Sequence, residues 1–276
     1  MHANASNTMT RPVVSRDEWL AARKAHLAEE KDLTRRRDKL SRRRRELPWV
    51  RVEKNYVFDT PAGRRSLAEL FGGRSQLVVY HFMFAPEWTQ GCKSCSLLAD
   101  HYNPAIVHLE HRDVTMVTVS RAPLEKIAAF RQRMGWTFTW VSSHDSDFNR
   151  DFQVSFTPEE LASGTATYNF GNKPYPIVEL PGISVFYKDA DGNVFHTYSS
   201  YARGLDILIG TYNLLDMVPK GRDEDDAPGM AWVRHHDRYD DGKPFVDPWV
   251  ERPARPAKAA SEASGCPACA AAEQRA

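Results

Sequence analysis

Cys92 and Cys95 stand two residues apart in "FAPEWTQGCKSCSLLADHY" (Phe84–Tyr102), directly after an apolar run and before a stretch with helical character. A cysteine in the first turn of a helix meets unpaired amide N–H groups and the positive end of the helix dipole. Both favour its thiolate, and Lys93 adds a positive charge beside it. The spacing predicts Cys92 as the attacking thiolate. Cys95, nearly one turn further, is then the resolving thiol that attacks a mixed disulfide and releases the product. Gly91 is expected to let a substrate backbone approach. The competing reading is two small core residues that fall near each other.

A second C-x-x-C, Cys266 and Cys269 in "GCPAC", sits close to the C-terminal end of the sequence. It reads either as an accessory redox pair on an arm that swings in and exchanges disulfides with Cys92/Cys95, or as an incidental pair. Together the four thiols could bind zinc only across a separation far beyond that of a zinc ribbon. His81 reads as a core histidine, with a proton relay or ligand near Cys92 as the alternative. "HTYSSYARG" offers Tyr201 and Arg203, with His196 and Tyr198, for an anionic substrate; hairpin-end packing is the plainer reading. "HHDRYD" (235–240) has metal-ligand residue types, but a polar loop is the commoner use of such a run. No resident metal and no cofactor are expected.

The elements that must position these residues follow from periodicity. Ser15 with Glu18 is a capping box that opens a long polar helix ending before Pro48, with Trp19, Leu20, Leu27, Leu33, Leu40 and Leu47 as a narrow apolar stripe. Its Arg42–Arg45 cluster suits the helix dipole better than nucleic acid, because acids dilute the charge and no aromatics interleave. Docking onto a second copy of the chain is the expected use of this helix. "QLVVYHFMF" (76–84), "VTMVTVS" (114–120) and "FTWVSS" (138–143) read as buried strands of a parallel sheet. Asn103 is expected to cap a helix after the cysteine segment, and "APLEKIAAFRQRMG" is another helix closed by Gly135. Residues 154–182 read as an irregular insertion, 182–199 as a hairpin turning at Asp191-Gly192, and 204–218 as one amphipathic helix.

With 276 residues, 42% hydrophobic and 26% charged, the chain has the composition of a globular protein. A net charge of +1 argues against a polyanion-binding protein. No run suits a membrane span and no apolar leader is visible, which points to the cytoplasm. The expected organisation is an N-terminal basic helix (1–50), an α/β domain with a mixed sheet (51–220), and a polar extension with a disordered tail (221–276).

The order of elements resembles the thioredoxin fold in the variant that peroxiredoxins use. More closely, "WVRVEKNYVFDTPAG", "FMFAPEWTQGCKSCS", "GISVFYKDADGNVFHTYSSYARGLDILIGTYNLLD" and "HHDRYD" resemble a thioredoxin-like family catalogued as domain of unknown function 899, over about residues 10–245. The resemblance implies a thioredoxin-like mixed sheet flanked by helices. It also implies a cis-proline opposite the cysteine pair, for which Pro181 is the candidate. Peroxiredoxins place a proline and a threonine ahead of the reactive cysteine; Pro86, Thr89 and Cys92 match with one residue fewer between proline and threonine. Their thiolate-steadying arginine has no counterpart between 151 and 185, so Arg150, Arg121 or Arg203 would have to serve.

Three functions follow as expectations. The first is a thiol-disulfide oxidoreductase cycling Cys92/Cys95 with protein or small-molecule thiols and disulfides as partners, and no nucleic acid or membrane. The second is a thiol peroxidase using Thr89. The third is a copper or zinc carrier using the pair with His81 or His144.

Overall fold

The structure, a computed structural model, describes residues 11–171, 176–225, 229–242, 247 and 249. The chain divides into two units, one up to Trp49 and one from Val50 onward. Cys266, Cys269 and the expected tail lie outside the described residues.

The first unit is the helix α1 (Arg16–Arg45). Its capping box closes in both directions: the Ser15 hydroxyl accepts from the Glu18 N–H, and the Glu18 carboxylate accepts from the Ser15 N–H. Acids occupy its first turn and Arg42–Arg45 its last, each sign matched to the dipole. Trp19, Leu33 and Leu40 are exposed along it.

The second unit is built on one sheet. Its strands are β1 (Val50–Arg51), β2 (Val57–Thr60), β3 (Gly63–Ser66), β4 (Gln76–His81), β5 (Val114–Ser120), β6 (Thr139–Ser142), β7 (Gly182–Lys188) and β8 (Val194–Tyr201). They lie in the order β1-β8-β7-β4-β5-β6-β2-β3. β4, β5 and β6 pair in parallel, whereas β7 runs antiparallel to β4 and to β8. Two parallel strands beside an antiparallel hairpin, in the order β5-β4-β7-β8, make the sheet thioredoxin-like. The helices around it are α2 (Lys93–Tyr102), α3 (Ile106–Glu110), α4 (Leu124–Arg133), α5 (Phe148–Asp151), α6 (Pro158–Ser163) and α7 (Gly210–Leu215).

β4 is the pivot because it is buried on both faces. Side chains alternate across a strand. Leu77 and Val79 enter one core with Phe58, Phe71, Phe148 and Phe186. Tyr80 enters the other, with Phe82, Cys92, Cys95, Phe130 and Trp140. His81 shares the parity of Leu77 and stacks on Phe148 at 5.4 Å between ring centres. It is therefore a core histidine on the face away from the cysteines, bonded through Nε2 to the Ser184 hydroxyl at 2.9 Å. The expectation of a relay or ligand beside Cys92 does not hold for it.

Three local expectations change. Asn103 does not open a new helix; a 3-10 turn continues α2, and its Oδ1 accepts from the Thr137 and Phe138 N–H groups. The expected helix over 204–218 is a 3-10 segment, Ala202–Leu208, followed by α7, broken at Ile209. That break lets the Thr211 N–H donate to the His101 ring at 3.1 Å. The insertion holds α6, with a second capping box between Thr157 and Glu160.

Candidate active site

The segment from Phe82 to Gly91 makes an excursion and returns to its own start. Phe82 N–H donates to Val119 O and Ala122 N–H to Phe84 O, so this stretch continues beside β5 past the end of β4. Trp88 turns back onto Ala85, and the Cys92 N–H closes the excursion on Met83 O at 3.1 Å. Lys126 holds the outer part, donating to Pro86 O at 2.6 Å. Cys92 is thereby fixed as the residue that caps α2, with extended backbone before the first helical turn.

Cys92 and Cys95 are free thiols, 2% and 1% exposed. Burial pushes the Cys92 thiol up. The Cys95 thiol and the N–H groups of Cys95 and Ser94 act the other way and prevail, so Cys92 lies below its ordinary value; the Asp247 carboxylate opposes them. These contacts are dipolar rather than regular caps, since no side chain caps α2 with hydrogen-bond geometry. Cys95 is pushed well above its ordinary value by burial and by the neighbouring Cys92 sulfur. Two thiols in mutual contact thus carry opposite displacements.

Tyr80 stands behind Cys95. Its hydroxyl is fully buried and has no partner of regular hydrogen-bond geometry. The group it acts on is the Cys95 sulfur, whose thiolate it favours, as does the Met83 N–H.

The front of the site is covered by the segment after Gly229. The His235 ring bonds Gly91 O through Nε2 at 2.9 Å and meets Arg133 Nη2 through Nδ1 at 2.7 Å. A carbonyl only accepts and a guanidinium only donates, so this histidine is neutral with its proton on Nε2. Burial pushes its pKa down to about 4. Arg133 also holds Asp237, and His236 meets Asp100 at 2.8 Å. Lys93, itself buried, reaches Ala231 O at 3.3 Å. Trp249 packs on Trp88 with ring centres 4.9 Å apart. The polar stretch "HHDRYD" is therefore a strap across the start of α2.

The family described as "Bacterial protein of unknown function (DUF899)" matches residues 8–239. The chain belongs to this family. A search of curated proteins gives no match. Among solved structures, the DUF899 protein is similar to three peroxiredoxins. One is a cysteine-to-serine mutant of PrxQ from Xylella fastidiosa, at 13% identity and a TM-score of 0.37, over 57% of this chain and 87% of that one. Another is the peroxidoxin BcpB from Mycobacterium tuberculosis, at 15% and 0.40, over 60% and 95%. The third is the mitochondrial 2-cys peroxiredoxin from Plasmodium falciparum, at 12% and 0.35, over 60% and 91%.

The remaining candidates of this DUF899 protein are dispersed. Thr89 is exposed, whereas Cys92 is buried three residues later. Gly91 faces inward: a Cβ there would lie 2.7 Å from Phe82 and 2.8 Å from Phe130. Its missing side chain serves core packing, which corrects the expectation of substrate approach. Pro181 follows a trans bond, because no peptide bond among the described residues is cis; its carbonyl accepts from the Tyr168 hydroxyl at 2.6 Å. Tyr201 is buried with its hydroxyl on Phe152 O, and Arg203 is exposed and paired with Asp206. Arg121 is engaged by the buried Glu179. None of the groups that chiefly set Cys92 is an arginine. Among the described residues no three His, Cys, Asp or Glu side chains are grouped to hold a metal, and no helix is long and apolar enough to cross a membrane.

Tyr80 was not singled out from sequence, and His235 only as part of a run with metal-ligand residue types, not as a partner of Gly91. Parity along β4 could have found Tyr80, since it alternates with Val79 and His81. Nothing local marks His235, which meets Gly91 across 144 positions.

Proposed function

We propose that this protein is a thiol-disulfide oxidoreductase that cycles Cys92 and Cys95 between dithiol and disulfide. The observation that carries the reading is the placement of two buried free thiols at a helix start, Cys92 as the residue that caps α2 and Cys95 in its first turn. Cys92, held low, attacks one sulfur of a substrate disulfide, and the other sulfur leaves as a thiolate. Cys95 then gives up its proton and attacks the Cys92 sulfur. The second substrate thiolate leaves, the two protons reside on the substrate thiols, and the pair is oxidised by two electrons. The Tyr80 hydroxyl favours the Cys95 thiolate that this second step needs. Such a cycle suits a reducing compartment such as the cytoplasm.

The test is turnover. The protein should reduce a small disulfide substrate with dithiothreitol as reductant, and Cys92→Ser should lose that activity entirely. Equal rates for the two proteins would reject the reading.

Burial of Cys92 favours a second reading, reduction of a small hydroperoxide, which reaches the sulfur with less opening than a folded disulfide partner. The thiolate would take the terminal oxygen to become a sulfenic acid, releasing an alcohol; Cys95 would condense with it, releasing water. Rapid hydroperoxide consumption that Cys92→Ser abolishes would support this reading. Slow consumption beside fast disulfide turnover would reject it.

A further inference from the structure

Trp19, His26, Leu33, Leu40 and Leu47 recur every seven residues, and Leu20 and Leu27 flank the first two. Seven residues bring an α-helix back to nearly the same face, with a drift of about 20°. The five side chains therefore form one stripe. The structure leaves it uncovered. α1 has no buried residue, and Trp19, Leu33, Leu40 and Leu47 are 50%, 68%, 59% and 46% exposed. Helices in proteins draw most of their stability from a packed apolar face, and a contiguous exposed apolar strip marks a contact surface.

We propose that this stripe is the seam of a homodimer, in which the α1 helices of two chains pair antiparallel about a twofold axis at Leu33. The proposal is independent of the cysteine cycle.

Three observations select a second copy and this direction. The spacing reads the same from both ends: Leu33 is midway between Trp19 and Leu47, and midway between His26 and Leu40. In an antiparallel pair Trp19 meets Leu47, His26 meets Leu40 and Leu33 meets itself, which is the reciprocity a twofold interface requires.

The charge is uneven along the helix. Residues 15–31 carry four basic and four acidic side chains, whereas 32–47 carry eight basic and three acidic. Parallel pairing sets Arg42–Arg45 against their own copies, and such like-charge contact opposes association. Antiparallel pairing sets that cluster against the neutral half, and places Arg36 and Arg37 opposite Glu30 and Glu29. Arg23, which the cluster then faces, is already held by Glu30 of its own helix at 2.8 Å.

The stripe is also narrow. Over the second half of the helix it is one side chain wide, with charged residues beside it. Such a strip matches the contact line between two helices. A helix lying in a lipid surface needs a far larger apolar face.

The test begins with mass in solution. Sedimentation equilibrium of the full chain should give twice the 31.4 kDa of one chain, and Leu33→Arg/Leu40→Arg should give a single chain with an unchanged near-ultraviolet circular dichroism spectrum. A wild-type monomer at every concentration, or a variant that stays dimeric, would overturn the inference. A wild-type monomer that instead floats with anionic phospholipid vesicles would assign the stripe to lipid and overturn it equally. Direction is read from oxidised His26→Cys/Leu40→Cys. Positions 26 and 40 lie about 21 Å apart within one helix, beyond the roughly 7 Å between Cα atoms that a disulfide allows. A linked peptide joining 26 to 40 therefore arises only between antiparallel chains, and is the expected product. Links of 26 to 26 and 40 to 40, or no link between the helices, would contradict the assignment.

Discussion

His235 Nε2 lies 2.9 Å from the carbonyl oxygen of Gly91, the residue before Cys92. One hydrogen bond thus ties the strap to the backbone that delivers the reactive sulfur. Arg133, on α4, fixes the other face of the same ring at 2.7 Å. Access to Cys92 is therefore expected to depend on this contact.

Replacing the strut should open the site. His235→Leu leaves the buried Gly91 O without its donor and Arg133 with Asp237 alone, at a cost of about 1–3 kcal/mol. Iodoacetamide alkylation of Cys92, followed by mass spectrometry, should accelerate roughly tenfold, equivalent to about 1.4 kcal/mol of local opening. An unchanged rate would show that the strap does not limit access.

The same histidine makes stability depend on pH. Its value falls from 6.5 in the unfolded chain to about 4 in the fold. The unfolded state then binds more protons between those values. The neutral ring's contribution is full above pH 6.5 and lost as pH falls through 4, up to about 3 kcal/mol. His81, pushed down to about 3 by burial, acts in the same direction. In urea melts, the stability gap between wild type and His235→Gln should narrow steadily from pH 6.5 to pH 4. A constant gap would contradict the neutral, buried ring.

Glu179 has the opposite sign. Burial raises it to about 7 despite Arg121 and the Ser155 hydroxyl. The folded state holds its proton in excess between 4.5 and 7. That contribution is present below 4.5 and lost as pH rises through 7. Glu179→Gln should therefore gain on wild type by up to about 3 kcal/mol across that window, measured by the same melts. A gap that does not change with pH would place the proton elsewhere.

Tyr80→Phe separates the two thiols. The hydroxyl has no regular hydrogen bond to lose, so stability should change by less than about 1 kcal/mol. Cys95 loses a donor to its thiolate, and oxidation of the pair should slow several-fold while alkylation of Cys92 alone stays the same. Equal slowing of both would indicate a packing defect.

Gly91→Ala tests the packing role directly. Its Cβ would press on Phe82 and Phe130, two buried rings with little room to give. Overpacking of this kind costs about 1–3 kcal/mol. Chemical denaturation should show that loss; full stability would return Gly91 to a role at the substrate.

Much of the fold was legible because its signals are local. The apolar strands, the Ser15 capping box and the Asp191-Gly192 turn each arise within a few residues, and Gly192 takes the positive φ that turn needs. The cysteine pair was legible for the same reason: a strand, a short return and a helix start are adjacent in sequence. The errors came from tertiary choices. Ile209 breaks a good amphipathic pattern so that His101 can meet Thr211, and Gly91 is a glycine because two rings from elsewhere crowd it. The strap was the least legible feature, since its polar residues find partners on Gly91, Asp100 and Arg133 that only the folded chain brings near.

The most direct test of the account is the pH profile of alkylation of each thiol in the reduced wild-type protein, resolved peptide by peptide. The account predicts that Cys92 reacts first, with an apparent pKa below the ordinary cysteine value, and that Cys95 stays unmodified until far more alkaline pH. Coincident profiles, or Cys95 reacting first, would contradict it.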